Sequence, residues 1–179
     1  FEILPREWHD AYEAGLFTEF MEQRAPGHTV ADGKIYARGM GDFAADIDAA
    51  AAAVEVDVDP RAARRLEELR AMRIAADAAV RFADRHAELA EAMAADEQDA
   101  ARRAELERIA VVCRRVPTHA PRDFWEAVQM YWFCHLAVIT ELNGWDAYSP
   151  GHLDQHLEPF YQRGIADGTL TREGAKELL

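Results

Sequence analysis

A mainly α-helical chain is predicted by three observations: apolar residues recur three or four apart over long stretches, alanine-rich runs favour helix by propensity, and turn-forming residues punctuate the periodic segments. The clearest stretch is 61–94, where Leu66, Leu69, Met72, Ala76, Val80, Ala83, Ala87 and Ala90 make one narrow apolar stripe between charged faces. Strand signal is weak and confined to 29–30 and 34–36. With 179 residues, half of them hydrophobic, the chain is long enough for one compact core.

Taken in order, Pro5 suits a helix start, and Trp8, Tyr12, Leu16 and Phe20 share a helical face, so the first helix is expected over 6–24, closed by Ala25-Pro26-Gly27. A second helix is expected over 42–54 and is broken by the turn formers of 56–60. The long helix of 61–94 reaches a turn at Asp96-Glu97-Gln98-Asp99. Leu106, Ile109, Cys113 and Val116 then continue the pattern on a helix that ends before Pro117, whose ring disfavours helix in the residue before it. These two helices are expected to pack as an antiparallel hairpin.

Asp123 followed by Glu126 has the form of a capping box. It opens an aromatic-rich helix through Trp125, Val128, Trp132, Leu136, Ile139 and Leu142, stopped by Asn143-Gly144. Ser149-Pro150-Gly151 leads into a helix over 152–163, and Leu170-Thr171-Arg172-Glu173 opens a last one, cut at its second turn by the chain end. With Phe1 in place of an initiator residue, that cut makes a piece of a longer protein the expectation. The natural divisions are 1–59, 60–117 (the hairpin) and 118–179 (a buried helix, a loop and the following helices). Isolated, such a piece is expected to expose apolar surface on the helix that begins at Phe124 and around Trp8, Phe17 and Phe20.

A formal charge of -13 and a pI near 4.9 oppose binding to nucleic acid or to an anionic membrane, which select for clustered Lys and Arg. The most apolar run, 124–142, is interrupted by Glu126, Gln129, His135 and Glu141, so it reads as a core helix and not a membrane span. Cys113 and Cys134 have neither disulfide nor zinc spacing, which suits reduced thiols in cytoplasm.

Three constellations could carry chemistry. Arg24 and His28 flank the Pro26-Gly27 bend, where an arginine fork can hold an anion and an imidazole can exchange a proton with a hydroxyl. The alternative is a helix-end arginine and a solvated turn histidine. The stretch 141–152, with Asn143, Trp145, Asp146 and two glycines directly after a buried helix, can place Asp146 as a hydroxyl acceptor, or serve only as a polar cap. His152 and His156 are four apart, but no third ligand is evident and Leu153 stands where a zinc protease helix carries Glu, so no metal is assigned. His135 reads as a core histidine.

Several segments, in this order, resemble the pyruvate formate-lyase domain of glycyl radical enzymes: Arg24 to Thr29 (Arg-Ala-Pro-Gly-His-Thr), Glu105-Leu106-Glu107-Arg108-Ile109-Ala110, Cys113-Arg114-Arg115-Val116-Pro117, Phe124-Trp125-Glu126-Ala127-Val128-Gln129, and the run from Gly151 to Tyr161 containing Asp154-Gln155 and Pro159-Phe160-Tyr161. The resemblance covers nearly the whole chain. It implies a parent several times longer, with a ten-stranded α/β barrel to which this piece adds helices and part of a wall. It also implies a glycyl radical elsewhere in the parent, installed by a radical-SAM activating enzyme, and a cysteine in a Cys-x-Glu loop that takes up the radical. Neither of those elements lies in these residues, so no catalytic residue is assigned here.

By the same resemblance, His28 and Asp146 fall where dehydratases of the family contact substrate hydroxyls, and Arg24 where a sulfonate-cleaving relative holds its anionic group. The implied function is radical elimination from a small hydroxylated substrate, with carbon–sulfur cleavage of a hydroxyalkanesulfonate as the first reading and dehydration of a diol or hydroxyproline as the second. A cytoplasmic, anaerobic lyase, homodimeric at full length, follows from the same likeness, with no cofactor bound by this piece. One departure stands out: His152 occupies the place of the family's arginine after Gly151. The reading from a different class is a non-catalytic helical binding module.

Overall fold

The computed structural model describes residues 5–15, 31–56, 58–141 and 151–179, leaving aside the side chains of Ile139 and Glu141. Among the described residues all regular structure is helical: α1 (Arg6–Glu13), α2 (Lys34–Ala37), α3 (Met40–Ala52), α4 (Ala62–Asp96), α5 (Ala100–Arg115), α6 (Phe124–Glu141), α7 (Leu153–Asp167) and α8 (Arg172–Leu178).

Helix α1 is shorter than its apolar pattern predicts. It ends at Glu13, where Gly15 takes φ 71°, a left-handed conformation that closes a helix; the rest of the expected 6–24 helix lies outside the described residues. Trp8 and Tyr12 do share a face, with rings stacked 5.3 Å apart. At 34–36, where the sequence carries only a weak strand signal, the chain folds as the single turn α2. Its amides bond back to Ala31 and Gly33, and Ile35 is buried among Val112, Val116, Met130 and Cys134, so packing outweighs the local β preference.

The hairpin is as expected, with α4 and α5 joined by the turn 97–99 and packed together. Asp99 caps α5 by accepting from the amides of Ala101 and Arg102. Small side chains line the contact: Ala83, Ala87, Ala90 and Ala94 of α4 are buried, and Ala83 and Ala87 pack with Cys113 and Phe133. Outside this seam Arg114 grips Glu91 through two hydrogen bonds of 2.9 and 3.1 Å. Met72, expected on the buried stripe, is 55 % exposed, whereas Leu69, Arg73 and Ala76 beside it are part-buried or buried on the face that α3 packs against.

Helix α6 is the centre of the molecule. Met130 and Cys134 pack on α5 through Val112 and Val116, Phe124 and Ala127 pack with Leu157 and Phe160 of α7 and Ala175 of α8, and Phe133 meets the hairpin. A helix apolar around most of its circumference is a buried helix, and no described helix is long and apolar enough to cross a membrane. Its free side includes Trp132, 49 % exposed, as the sequence leads one to expect of an isolated piece. The stop expected at Asn143-Gly144 lies outside the described residues.

At the start of α6, Asp123 accepts from the Glu126 amide at 2.8 Å, but the reciprocal half of the capping box is redirected. The Glu126 carboxylate is wholly buried and takes the Arg122 backbone N–H at 2.7 Å, the Arg122 guanidinium at 2.6 Å and the Arg115 charge at 3.5 Å. Burial alone would raise its pKa. The hydrogen bonds from Arg122 and the two guanidinium charges outweigh burial and hold it below the ordinary 4.5.

The turn at 116–122, which includes a cis Val116–Pro117 peptide, also receives α3. Met40 and Gly41 donate to the carbonyls of Pro117 and Thr118 at 2.7 and 2.9 Å. Gly39 sits so close to Thr118 and His119 that a side-chain carbon there would overlap their backbone. Helix α7 runs past its expected end at 163 to Asp167, stopped by Gly168 at φ 75°, and Thr171 caps α8 by accepting from the Gly174 amide at 3.0 Å.

Two tests follow from these contacts. Because Glu126 has a depressed pKa, its contribution is complete above about pH 4.5 and fades as pH falls through the folded-state value. Glu126→Gln should therefore lower the thermal midpoint near neutral pH, by the equivalent of about 2–3 kcal/mol for lost charged hydrogen bonds, and the gap to the parent protein should narrow at lower pH. Gly39→Ala should cost about 2 kcal/mol or more through overlap with backbone that has nowhere to move, whereas Gly15→Ala, with open space around its Cβ, should cost only about 1 kcal/mol through its positive φ.

Candidate functional site

The three residues that the sequence nominates, Arg24, His28 and Asp146, fall in 16–30 and 142–150, outside the described residues. What the structure does describe is where those two stretches rejoin the helices, at 31–36 and 151–156, and these two exits meet.

Both exits have special backbones. Ala31 and Asp32 take φ of 56° and 51°, left-handed values that cost a non-glycine residue about 1 kcal/mol or more each. Gly33 then starts α2. On the other side Gly151 takes φ 65°, where glycine is at ease, and His152 starts α7, exposed and without a side-chain capping bond. One turn into α7, His156 Nε2 lies 3.2 Å from Asp32 Oδ1, and its ring stacks on Tyr36 with centroids 5.1 Å apart. The approach is close: a Cβ on Gly33 would come within 3.2 Å of His156 Cε1. His156, considered from the sequence only as half of a metal pair with His152, is thus engaged by a carboxylate and an aromatic face. The described residues contain no group of three or more side chains placed to hold a metal.

Tyr36 reaches further inward. Its ring lies between the two packing clusters on α6, and its hydroxyl is buried without a hydrogen-bond partner among the described residues. Burial, with smaller contributions from Tyr131 and Cys134, pushes its pKa up to about 12, so it stays protonated. Beside it on α6, Tyr131 Oη and His135 Nδ1 are 3.3 Å apart and the His135 ring stacks on Trp132; His135 is half-buried and satisfied, as expected of a core histidine.

One other place among the described residues gathers several cations. A cleft of about 500 Å³ gathers Arg108, Arg122 and Arg163. Arg108 pairs with Asp123, Arg122 with Glu126, and Arg163 donates to the Arg122 carbonyl at 3.0 Å, so the cleft offers no free cation among them. The signals that could have pointed to the junction are the Asp32-Gly33 turn dipeptide and His156 itself. Nothing in it paired residues 124 positions apart.

Comparison with known proteins identifies the surroundings of this junction. A family model described as pyruvate formate lyase-like matches residues 1–179. The chain belongs to that family. A trans-4-hydroxy-L-proline dehydratase of Clostridioides difficile is 51 % identical over 173 residues, 97 % of this chain and 22 % of the relative. An isethionate sulfite-lyase of Oleidesulfovibrio alaskensis is 43 % identical over 111 residues, 62 % of this chain and 13 % of the relative. Among solved structures, the C. difficile hydroxyproline dehydratase with trans-4-hydroxy-L-proline bound superposes with a TM-score of 0.85 at 49 % identity, over 99 % of this chain and 22 % of that one. A B12-independent glycerol dehydratase of Clostridium butyricum gives 0.82 at 27 % identity over the same shares. The pyruvate formate lyase-like chain therefore spans about a fifth of the length of such relatives, and its helices are one part of a larger fold.

Within the pyruvate formate lyase-like chain neither cysteine is primed to react. Burial pushes the Cys134 thiol up to about 12 and Cys113 up to about 11. Iodoacetamide at about pH 8 should leave both unmodified in the folded protein and alkylate both after unfolding, read by peptide mass spectrometry.

Proposed function

We propose that this chain supplies the substrate-gripping residues of a glycyl radical lyase that eliminates a group from a small hydroxylated substrate, with dehydration of a hydroxyproline-like substrate as its reaction. The observation that carries the reading is the Asp32–His156 contact, which brings the exits of 16–30 and 142–150 to within one hydrogen bond. His28 is four residues before Asp32 and Asp146 five before Gly151. A chain extends at most about 3.5 Å per residue, so the Cα of His28 lies within roughly 14 Å of Asp32 and that of Asp146 within roughly 18 Å of Gly151, five residues before His156. Convergence on one chamber is thus well within reach.

In this reading Arg24 holds the anionic group of the substrate through a forked pair of charge-assisted hydrogen bonds. His28 and Asp146 hold a hydroxyl beside the carbon that loses hydrogen, the imidazole able to donate and the carboxylate to accept. The radical, on a glycine elsewhere in the parent and installed by a radical-SAM activating enzyme, supplies hydrogen-atom abstraction from carbon. The likeness to the hydroxyproline dehydratase extends over 97 % of the chain and that to the sulfite-lyase over 62 %, which favours loss of water over carbon–sulfur cleavage. An arginine anion grip suits the carboxylate of an amino acid as well as a sulfonate, so Arg24 is consistent with both. Cleavage of a hydroxyalkanesulfonate stays as the second reading, on the strength of the sulfite-lyase relatives. The parent is proposed to be a cytoplasmic homodimer, active without oxygen.

The test is the full-length parent, activated anoxically and assayed for loss of trans-4-hydroxy-L-proline, for aldehyde from 1,2-propanediol and glycerol, and for sulfite from isethionate. Turnover of trans-4-hydroxy-L-proline is expected; sulfite release instead would move the assignment to the second reading, and no turnover of any would reject both. His28→Ala and Asp146→Ala should each lower kcat/KM about a hundredfold, roughly 3 kcal/mol of transition-state stabilisation, while Arg24→Gln should chiefly raise KM.

A further inference from the structure

The two exits are not merely adjacent; they are fastened together by a residue whose neighbours each contribute something different. Asp32 Oδ1 meets His156 Nε2 at 3.2 Å, giving a directional bond. Tyr36, four residues after Asp32, covers the same imidazole with a ring inclined by only 22°, giving an apolar face. Gly33, between them, lets the backbone come near enough for both. A chain that enters α2 through two successive left-handed, non-glycine residues must be held there by something outside itself, and Asp32 is the residue of that pair whose side chain is hydrogen-bonded across to α7.

The geometry points to His156 as a positioning residue: it clasps segment 31–36 to α7 and thereby fixes, relative to one another, the points at which 16–30, with His28, and 142–150, with Asp146, rejoin the helices. This rests on the reading above that the two loops form one pocket. His156 touches no substrate in this scheme. It acts through the places where the loops leave the helices, and two groups that must grip one hydroxyl tolerate little change in their separation.

The variants separate bond from stack. His156→Phe keeps a ring against Tyr36 and loses the bond to Asp32, Asp32→Ala removes the acceptor, and Asp32→Asn retains an acceptor oxygen in place. Each is made in the full-length parent, activated anoxically and assayed with trans-4-hydroxy-L-proline, alongside amide hydrogen exchange without substrate. His156→Phe and Asp32→Ala should each raise KM about tenfold with a smaller change in kcat and an unchanged thermal midpoint. The double variant should be no worse than either single one, and Asp32→Asn should restore most of the affinity. Both loops, 16–30 and 142–150, should exchange faster in the two disruptive variants.

A folded His156→Phe protein with parental KM and parental exchange in either loop overturns the clasp while leaving the proposed function intact. Additive losses, or failure of Asp32→Asn to restore affinity, also overturn it. An activated parent that turns over no hydroxylated substrate overturns the proposed function and this inference with it, whatever the exchange shows.

Discussion

The described fold depends on a negative charge with no access to water. Glu126 is buried at the first turn of α6, and its two oxygens are shared among the Arg122 amide, the Arg122 guanidinium and Arg115. A lone carboxylate in such a place would be prohibitive, and a matched one fixes the positions of its partners. Arg115 is the last residue of α5 and Arg122 the last turn residue but one before α6, so this single group sets how the two helices join. The turn so fixed then presents the Pro117 and Thr118 carbonyls to the amides that open α3, and α3 follows α2, whose Tyr36 lies against α7. From Glu126 to the Asp32–His156 contact the links are covalent chain, hydrogen bonds and packed rings.

Most of this architecture was legible in the sequence because it is written in local patterns. The stripe Ala76, Ala83, Ala87, Ala90 sits at helical spacing and is buried, Pro117 ends α5 where its ring predicts, and Thr171 caps α8. What was misread had a non-local cause. Residues 34–36 look extended until Ile35 is seen to need a hole between α5 and α6, and Asp123–Glu126 looks like a self-contained capping box until two arginines compete for the carboxylate. Met72 shows the limit of periodicity, which finds a stripe but not its edges: Met72 is exposed although Leu69 and Ala76 on the same stripe are covered.

The site divides the same way. Family likeness names Arg24, His28 and Asp146 through short motifs that survive out of context. The contact that joins the exits of 16–30 and 142–150 lies between Asp32 and His156, 124 residues apart, and only a fold can reveal it. Histidines four apart suggested metal chemistry on one helix face, whereas in the folded chain one of the pair stands exposed at a helix start and the other is occupied by Asp32 and Tyr36.

The alanine seam between α4 and α5 has a further consequence, for the order in which this part of the chain is assembled. Alanine forfeits almost no rotamer freedom when it is covered, so the α4 side of the seam adds little side-chain entropy to the cost of closing it, and that cost falls on Leu106, Ile109 and Cys113 of α5. The turn 97–99 keeps the facing residues near in sequence, and contacts of short separation form fastest. The closed hairpin offers Ala83, Ala87 and Cys113 as one surface, and Phe133 is the α6 side chain that packs on it.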